Sequence, residues 1–431
     1  MRNLTEIAKI VEKIRLKPTD LITTDSNNKN SKSDLFYQKI LDGSFKQDRD
    51  ASEFFYQSDT NNSNYKNLKR FLRRKLLSTL FFIDPKKAHS DYERAYLYCC
   101  KNMFAAKVLM FLQARNSGID LCQKVYTKSL EFELTEFTVS SSRYLRLHYG
   151  SRVGNAERFE EYNAAFKRFF KIFETEQLAE EYFARLVLPS LRKKAVGQET
   201  FEQSKLFFAD LKPYMDEYSS PYLHLFGHYI HVSALLSIND YHGAVKVCDE
   251  AIAFFEAKPY SYNTPLRIFL HHQLICYTQL KSYEKGKEAA EKSTKLIRAG
   301  THSWFLNNEL HTILALHSKR YDDARRILNE TISYYKFKTT QPMLQEKWYI
   351  YEAYVHFLVM IGQLNPSEDS RRFRLGKFLN SIPTFSKDKR GLNIPILIIQ
   401  ILFMIVKKDY DQAIDRFEAI EKYCSCFLLN I

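Results

Sequence analysis

Histidine, cysteine and closely spaced cations are the residue types here that could do chemistry, and their spacing narrows what it can be. His224, His228 and His231 fall at i, i+4 and i+7. On a helix these positions share a face, as two metal-binding histidines would. A metal shell needs three or four ligands, yet only this one helix offers any, with no carboxylate or cysteine close by in sequence. Packing is therefore expected, with no metal and no cofactor. The adjacent pair His271-His272 points to different faces. Seven cysteines, Cys99, Cys100, Cys122, Cys248, Cys276, Cys424 and Cys426, form no C-x-x-C pair. Their odd number and irregular spacing read as reduced thiols in a cytoplasmic protein. Gly150 and Gly154 delimit a loop without G-K-[ST] or a preceding strand, so a plain loop is expected, not a phosphate cradle. No G-x-S-x-G, H-E-x-x-H or Walker-type motif occurs. No catalytic residue is assigned, and the chain is not expected to be an enzyme.

The cations are more informative. The formal charge is +14, and two segments hold nearly all of it. Tyr65 to Lys87 has eight Lys or Arg and one acid, and Asn365 to Lys408 has nine and three, sums of +7 and +6. Charge confined to patches suggests phosphate or acidic protein surfaces as partners. Within the first segment Lys66, Lys69, Arg70, Arg73 and Arg74 follow helical spacing and cover one face of a helix over 65–82. Tyr65, Leu68, Leu72, Leu76 and Thr79 cover the opposite face. No acid lies between Asn61 and Ile83, so no i,i+4 ion pair neutralises the stripe. Three readings stay open: a solvated face, an acidic partner and nucleic acid.

The elements that must carry these residues are helices. Among 431 residues Gly and Pro number 12 and 11, too few for a fold of many hairpins, while 33 Phe and 28 Tyr supply packing volume. Met1 to Arg15 reads as an amphipathic helix with Leu4, Ile7, Ile10, Val11 and Ile14 on one side, lacking the apolar core of a signal peptide. The longest apolar stretch, Ile394 to Val406, is too short to span a bilayer, and no membrane partner is expected. Residues 18–33 read as a linker. Helices are expected over 34–41, 48–56 and 65–82. Another helical stretch covers 91–147, with breaks near Asn116-Ser-Gly118 and Ser140-Ser-Ser142. A last one covers 157–188 and stops at Pro189.

A repeat then begins. Asp240-Tyr241-x-x-Ala244, Ser282-Tyr283-x-x-Gly286, Arg320-Tyr321-x-x-Ala324 and Asp409-Tyr410-x-x-Ala413 each follow an apolar helix. The Tyr spacings are 42, 38 and 89, so a degenerate copy is expected between the last two, at Trp348 to Ile361 followed by Arg371 to Leu379. A small residue at the crossing lets the second helix approach the first, and the Tyr packs between neighbours. Over 221–431 this pattern resembles the tetratricopeptide family, although the spacing departs from that family's unit of about 34 residues. The resemblance implies an all-α fold, an α-α superhelix of helical hairpins. It also implies a groove lined by Tyr229, Ser233, His271, Ile275, Gln279, Glu309 and Ile313 that holds a protein or peptide.

Segment 46–83 in turn resembles the winged helix-turn-helix of bacterial transcriptional activators that carry such repeats. Asp50-Ala51 opens one helix, and Leu68, Leu72, Arg73 and Leu76 pace the next. No β-rich wing is visible around it. Three segments follow: an N-terminal helical module over 1–88, a helical segment over 89–220, and repeats over 221–431. The expected role is a cytoplasmic adaptor or regulator. The alternative is a DNA-binding transcriptional regulator using the basic helix, with the repeats as sensor or dimerisation arm. The apolar tail Cys426 to Ile431 is expected either to fold back as a lid or to meet another chain, including a second copy.

Overall fold

The computed structural model describes residues 1–13, 31–88, 90–191, 198–366, 376 and 393–427. Among them are eighteen α-helices and no strand. The chain forms two compact units, Met1–Phe173 and Glu174–Ile431. The segment boundaries expected at 89 and 221 both fall inside these units.

In the first unit α1 (Arg2–Lys13), α2 (Lys32–Leu41), α3 (Asp48–Tyr56) and α4 (Ser63–Leu80) enclose one core. Leu4, Ala8 and Val11 of α1 meet Phe36 and Ile40 of α2 and Tyr65, Leu72 and Leu76 of α4. Ile10, expected on the apolar side of α1, is exposed. The small Ala8 takes the centre of the stripe instead, and Ile14 lies outside the described residues. Asn62 caps α4, its side chain accepting from the N–H groups of Asn64 and Tyr65 at 2.9 and 3.2 Å. The helix thus starts at Ser63, two residues before the expected 65.

Next come α5 (Asp91–Phe111), α6 (Arg115–Glu131) and α7 (Thr135–His148). The breaks expected at Asn116–Gly118 and Ser140–Ser142 are absent. Chain reversal occurs instead at Gln113 and Glu133, which adopt φ of 66° and 52°. Ser141 and Ser142 are buried inside α7, their hydroxyls donating to the carbonyls of Phe137 and Thr138 at 2.6 Å. A serine whose hydroxyl is satisfied by the preceding turn need not break a helix. The Gly150–Gly154 loop is also revised. Tyr149–Val153 continues α7 as a π-helical turn, and Gly154 ends it at φ 69°. Helix α8 (Ala156–Leu191) runs two residues past Pro189 instead of stopping there.

The second unit holds the end of α8 and α9 (Gln198–Glu217), then the helical hairpins. These are α10 (Pro221–Ser237) with α11 (Tyr241–Glu256), α12 (Asn263–Gln279) with α13 (Tyr283–Lys295), and α14 (His302–His317) with α15 (Tyr321–Ser333). Then follow α16 (Pro342–Met360), α17 (Asn393–Val406) and α18 (Tyr410–Phe427). Each reversal uses one geometry. Asn239, Lys281, Lys319 and Lys408 are left-handed, at φ between 53° and 61°. The N–H of the next residue then reaches back to the carbonyl of Leu235, Tyr277, Ala315 or Met404 at 2.8–3.0 Å. This is the Schellman ending of a helix. Helix α16 occupies the place expected for the degenerate copy. Its expected second helix, Arg371 to Leu379, lies outside the described residues apart from Gly376, as do most of the basic segment 365–408 and the tail from Leu428.

The small residues after each turn are buried: Ala244, Gly286, Ala324 and Ala413. The tyrosines differ. Tyr283 is buried, while Tyr410 in the last hairpin is exposed, with no further described hairpin to cover it. Gly286 has the least room. A Cβ there would stand 2.4 Å from Leu314 Cδ2 and 3.0 Å from Tyr277 Cβ. Leu314 is itself fully buried and has nowhere to move. Gly286→Ala should therefore destabilise the second unit by about 1–3 kcal/mol through overpacking, despite the gain in helix propensity. Urea denaturation of both proteins measures it, and an unchanged midpoint would show that the crossing is looser than these distances.

Candidate functional site

Two surfaces gather the residues singled out by the sequence. The first is α4. Its inner edge is tied down by Asp48 at the start of α3, whose carboxylate accepts from the Met1 α-amino group at 2.7 Å and Lys69 Nζ at 2.6 Å. The Tyr65 hydroxyl donates to the same group. Burial pushes the Asp48 carboxyl up, but the hydrogen bonds from Lys69, the α-amino group and Tyr65 outweigh it. The net result lies far below the usual carboxylate range. Lys75 is likewise engaged, 2.9 Å from Asp34.

Lys69 is thus half-buried and ion-paired, which its place in a one-sided stripe did not suggest. Lys66, Arg70, Arg73 and Arg74 are exposed. Among the described residues none of the four has an ion pair. Lys66 donates to Asn61 at 3.2 Å, Arg70 to Asn67 at 3.4 Å, and Arg74 lies 5.9 Å from the Phe71 ring centroid. The same side of α4 carries Leu77 and leads to Phe81, both exposed. Phe81 lies 4.9 Å from Phe104 of α5, ring to ring. The sequence reading left this α5 face unmarked, because Phe in a helix reads as core. The signal was present nonetheless: no acid occurs from Arg94 to Ile119.

The second surface is the row of first helices in the second unit, where α10 packs on α12 and α12 on α14. Tyr229, His271 and Glu309 occupy one register position, twelve residues before the hairpin Tyr, and Ser233, Ile275 and Ile313 another, eight before. Tyr229, Ser233, His271, Ile275 and Ile313 are half-buried and Gln279 is exposed. Glu309 is buried, accepting from Lys347 at 3.2 Å and Tyr351 at 2.9 Å of α16. Burial pushes His271 down to about 4, with His272 adding to it. Glu309 is thus paired and His271 neutral at neutral pH, while Arg267, one turn before His271 on the same face of α12, is half-buried without an ion pair among the described residues.

The histidine trio lies beneath this row. His224 Nε2 is 3.1 Å from the carbonyls of Met215 and Tyr218 and so carries a proton. Its Nδ1 faces His228 Nε2 at 3.4 Å, so His228 donates there. His228 Nδ1 is then left as a buried acceptor without a partner. His231 stacks on Phe208, centroids 3.9 Å apart. With both nitrogens engaged, His224 has no lone pair to offer a metal. Among the described residues no three His, Cys, Asp or Glu gather in a metal-binding arrangement. Burial also pushes the thiols of Cys99 and Cys122 up, to about 12 and about 11, away from the reactive thiolate.

No protein-family model, curated protein or solved structure matches this chain.

Burial pushes His228 down to about 3, with His224, His231 and Lys212 adding to it. The folded value lies below the unfolded one of about 6.5, so the unfolded chain binds the extra proton in between. Stability from keeping His228 neutral is complete above about pH 6.5 and declines as pH falls toward 3. Between pH 6.5 and 5 one such group costs about 2 kcal/mol. In His228→Gln that loss should shrink by about this amount, measured by urea denaturation at both pH values. Equal losses in parent and variant would mean that His228 does not stay neutral in the fold.

Proposed function

We propose that this chain is a non-enzymatic helical-repeat protein, similar to the tetratricopeptide family, acting as a cytoplasmic adaptor or regulator. It holds a protein or peptide segment along the row formed by α10, α12 and α14. One observation carries the reading. Ser233, Ile275 and Ile313, one register position on three successive first helices, stay half-buried, and Glu309, the acid of the row, is paired within the fold. A segment with apolar side chains spaced to meet Tyr229, Ile275 and Ile313 fits such a row, with Ser233 and Gln279 available to its backbone.

A photo-crosslinking residue at Ser233 or Gln279 should capture the same partner in the native cell, while one at the exposed Glu250 of α11 should not. Equal capture at all three positions, or capture at Glu250 alone, would remove the row as the binding surface.

A second reading rests on a separate observation, the four cations of α4 that no acid neutralises. We propose that this face contacts a polyanion, and a DNA-binding regulator is the form the helix order of α3 and α4 suggests. Four phosphate contacts give a slope of log K against log salt of about −3.6 on duplex DNA. Arg70→Ala with Arg73→Ala should flatten it by about two units, with little change in stability, since exposed charges contribute little to folding. Titration of duplex DNA, single-stranded DNA and RNA at several salt concentrations measures this. Absence of binding to all three at low salt would remove the nucleic-acid form of the reading.

A further inference from the structure

The exposed face of α4 does not end with its cations. Arg70, Arg74, Leu77 and Phe81 follow one another along a single side of the helix, with Arg73 beside them. Where that side ends, Phe81 meets Phe104, and Lys101, Lys107, Val108 and Phe111 lie on the same side of α5 as Phe104. All of these side chains are exposed. Phe111 is 82% exposed and its neighbour Leu112 is 66% exposed. The adjoining Phe82 is exposed as well. Neither stretch contains an acid: none lies between Asn61 and Ile83, and none from Arg94 to Ile119. Arginine, lysine and large apolar groups therefore alternate over a surface shared by two helices.

We propose that this α4–α5 surface docks on the anionic face of a lipid bilayer. The inference rests on the polyanion reading of α4 and names the polyanion. Its two ingredients do different things. Cations near an anionic leaflet gain from its negative surface potential. Apolar side chains gain only if they leave water, which they do by entering the boundary between headgroups and acyl chains. The aliphatic members decide between lipid and nucleic acid. Bases stack on aromatic rings, but Leu77, Val108 and Leu112 have no π-face to offer, whereas acyl chains accept aliphatic and aromatic groups alike. The long stems of Arg and Lys let their charges stay at the phosphate level while the phenyl groups sit deeper. Such a surface lies on a membrane and does not cross it, and no described helix is long and apolar enough to cross one.

The test is flotation of the full chain with vesicles of phosphatidylcholine alone and of phosphatidylcholine mixed with phosphatidylserine. Duplex DNA and RNA are titrated at the same salt. Two double variants isolate the ingredients: Arg70→Gln with Arg73→Gln, and Phe111→Gln with Leu112→Gln. All four side chains are exposed, and matched thermal melts confirm that the fold is kept. The parent should float with the phosphatidylserine vesicles and not with phosphatidylcholine alone. Each cation near the surface contributes about fivefold, so the arginine variant should bind about twenty-five-fold more weakly. The apolar variant should also lose most of its binding, at unchanged charge. Three results would overturn the inference: no flotation with either vesicle, flotation that the Phe111–Leu112 variant retains in full, or tighter binding to DNA or RNA than to vesicles. The last would keep the polyanion reading and reject its lipid form. Failure to bind either vesicles or nucleic acids would reject both.

Discussion

A left-handed residue at the end of a helix recurs through this chain, and the hairpins depend on it. The backbone there reverses within a few residues, and the following N–H returns to a carbonyl that the helix end would otherwise leave unpaired. An L-residue in this conformation costs roughly 1–2 kcal/mol, and glycine would avoid the cost. Yet Gln113, Glu133, Asn239, Lys281, Lys319 and Lys408 take it, alongside glycines such as Gly154 and Gly362. None of the six is β-branched, so the strain stays at the lower end of what a side chain imposes there. The turn fixes where the second helix starts, and so which of its residues meets the first. That residue must be small, which explains why Ala244, Gly286 and Ala324 are buried at corresponding positions.

The same turn shows why the hairpins of the second unit were legible and the reversals within 91–147 were not. In the second unit the turn is followed by Tyr at the start of the next helix, four times over, and a repeated aromatic is visible in a sequence. In the first unit Arg115 and Thr135 open the corresponding helices, and nothing in their type marks the position. Local signals then misled. Ser140–Ser142 and Asn116–Gly118 have the composition of loops, but hydroxyls can be satisfied within a helix. Gly118 is needed for close approach, since a Cβ would stand 3.1 Å from Met110 of α5 and 3.2 Å from a carbonyl.

The two candidate surfaces were legible to different depths for a related reason. Register positions along the first helices could be counted back from each Tyr, so the row of Tyr229, His271 and Glu309 was within reach of the sequence. The fate of each charge was not. Glu309 is answered by Lys347, 38 residues away, and Lys69 by Asp48, 21 residues away in the other direction. A helical wheel places a cation on a face, but only the fold says whether another element brings a carboxylate to it. The α5 surface was missed for the opposite reason: Phe104 and Phe111 have the residue type of a core and the exposure of an interface.

Which cations were taken is itself informative. Helix α4 carries three lysines and three arginines from Lys66 to Lys75. The fold engages two lysines, Lys69 with Asp48 and Lys75 with Asp34, and no arginine. An ammonium on a flexible stem suits an internal tie, where one carboxylate oxygen has to be reached. A guanidinium has five donors in a planar fork, is more weakly hydrated, and stacks on aromatic groups, as Arg74 does toward Phe71. It therefore gives up less in leaving water for a phosphate. The module's own acids thus remove the cations better suited to holding helices together. What stays exposed is the set better suited to gripping phosphate, placed among the apolar side chains that a purely electrostatic contact would not require.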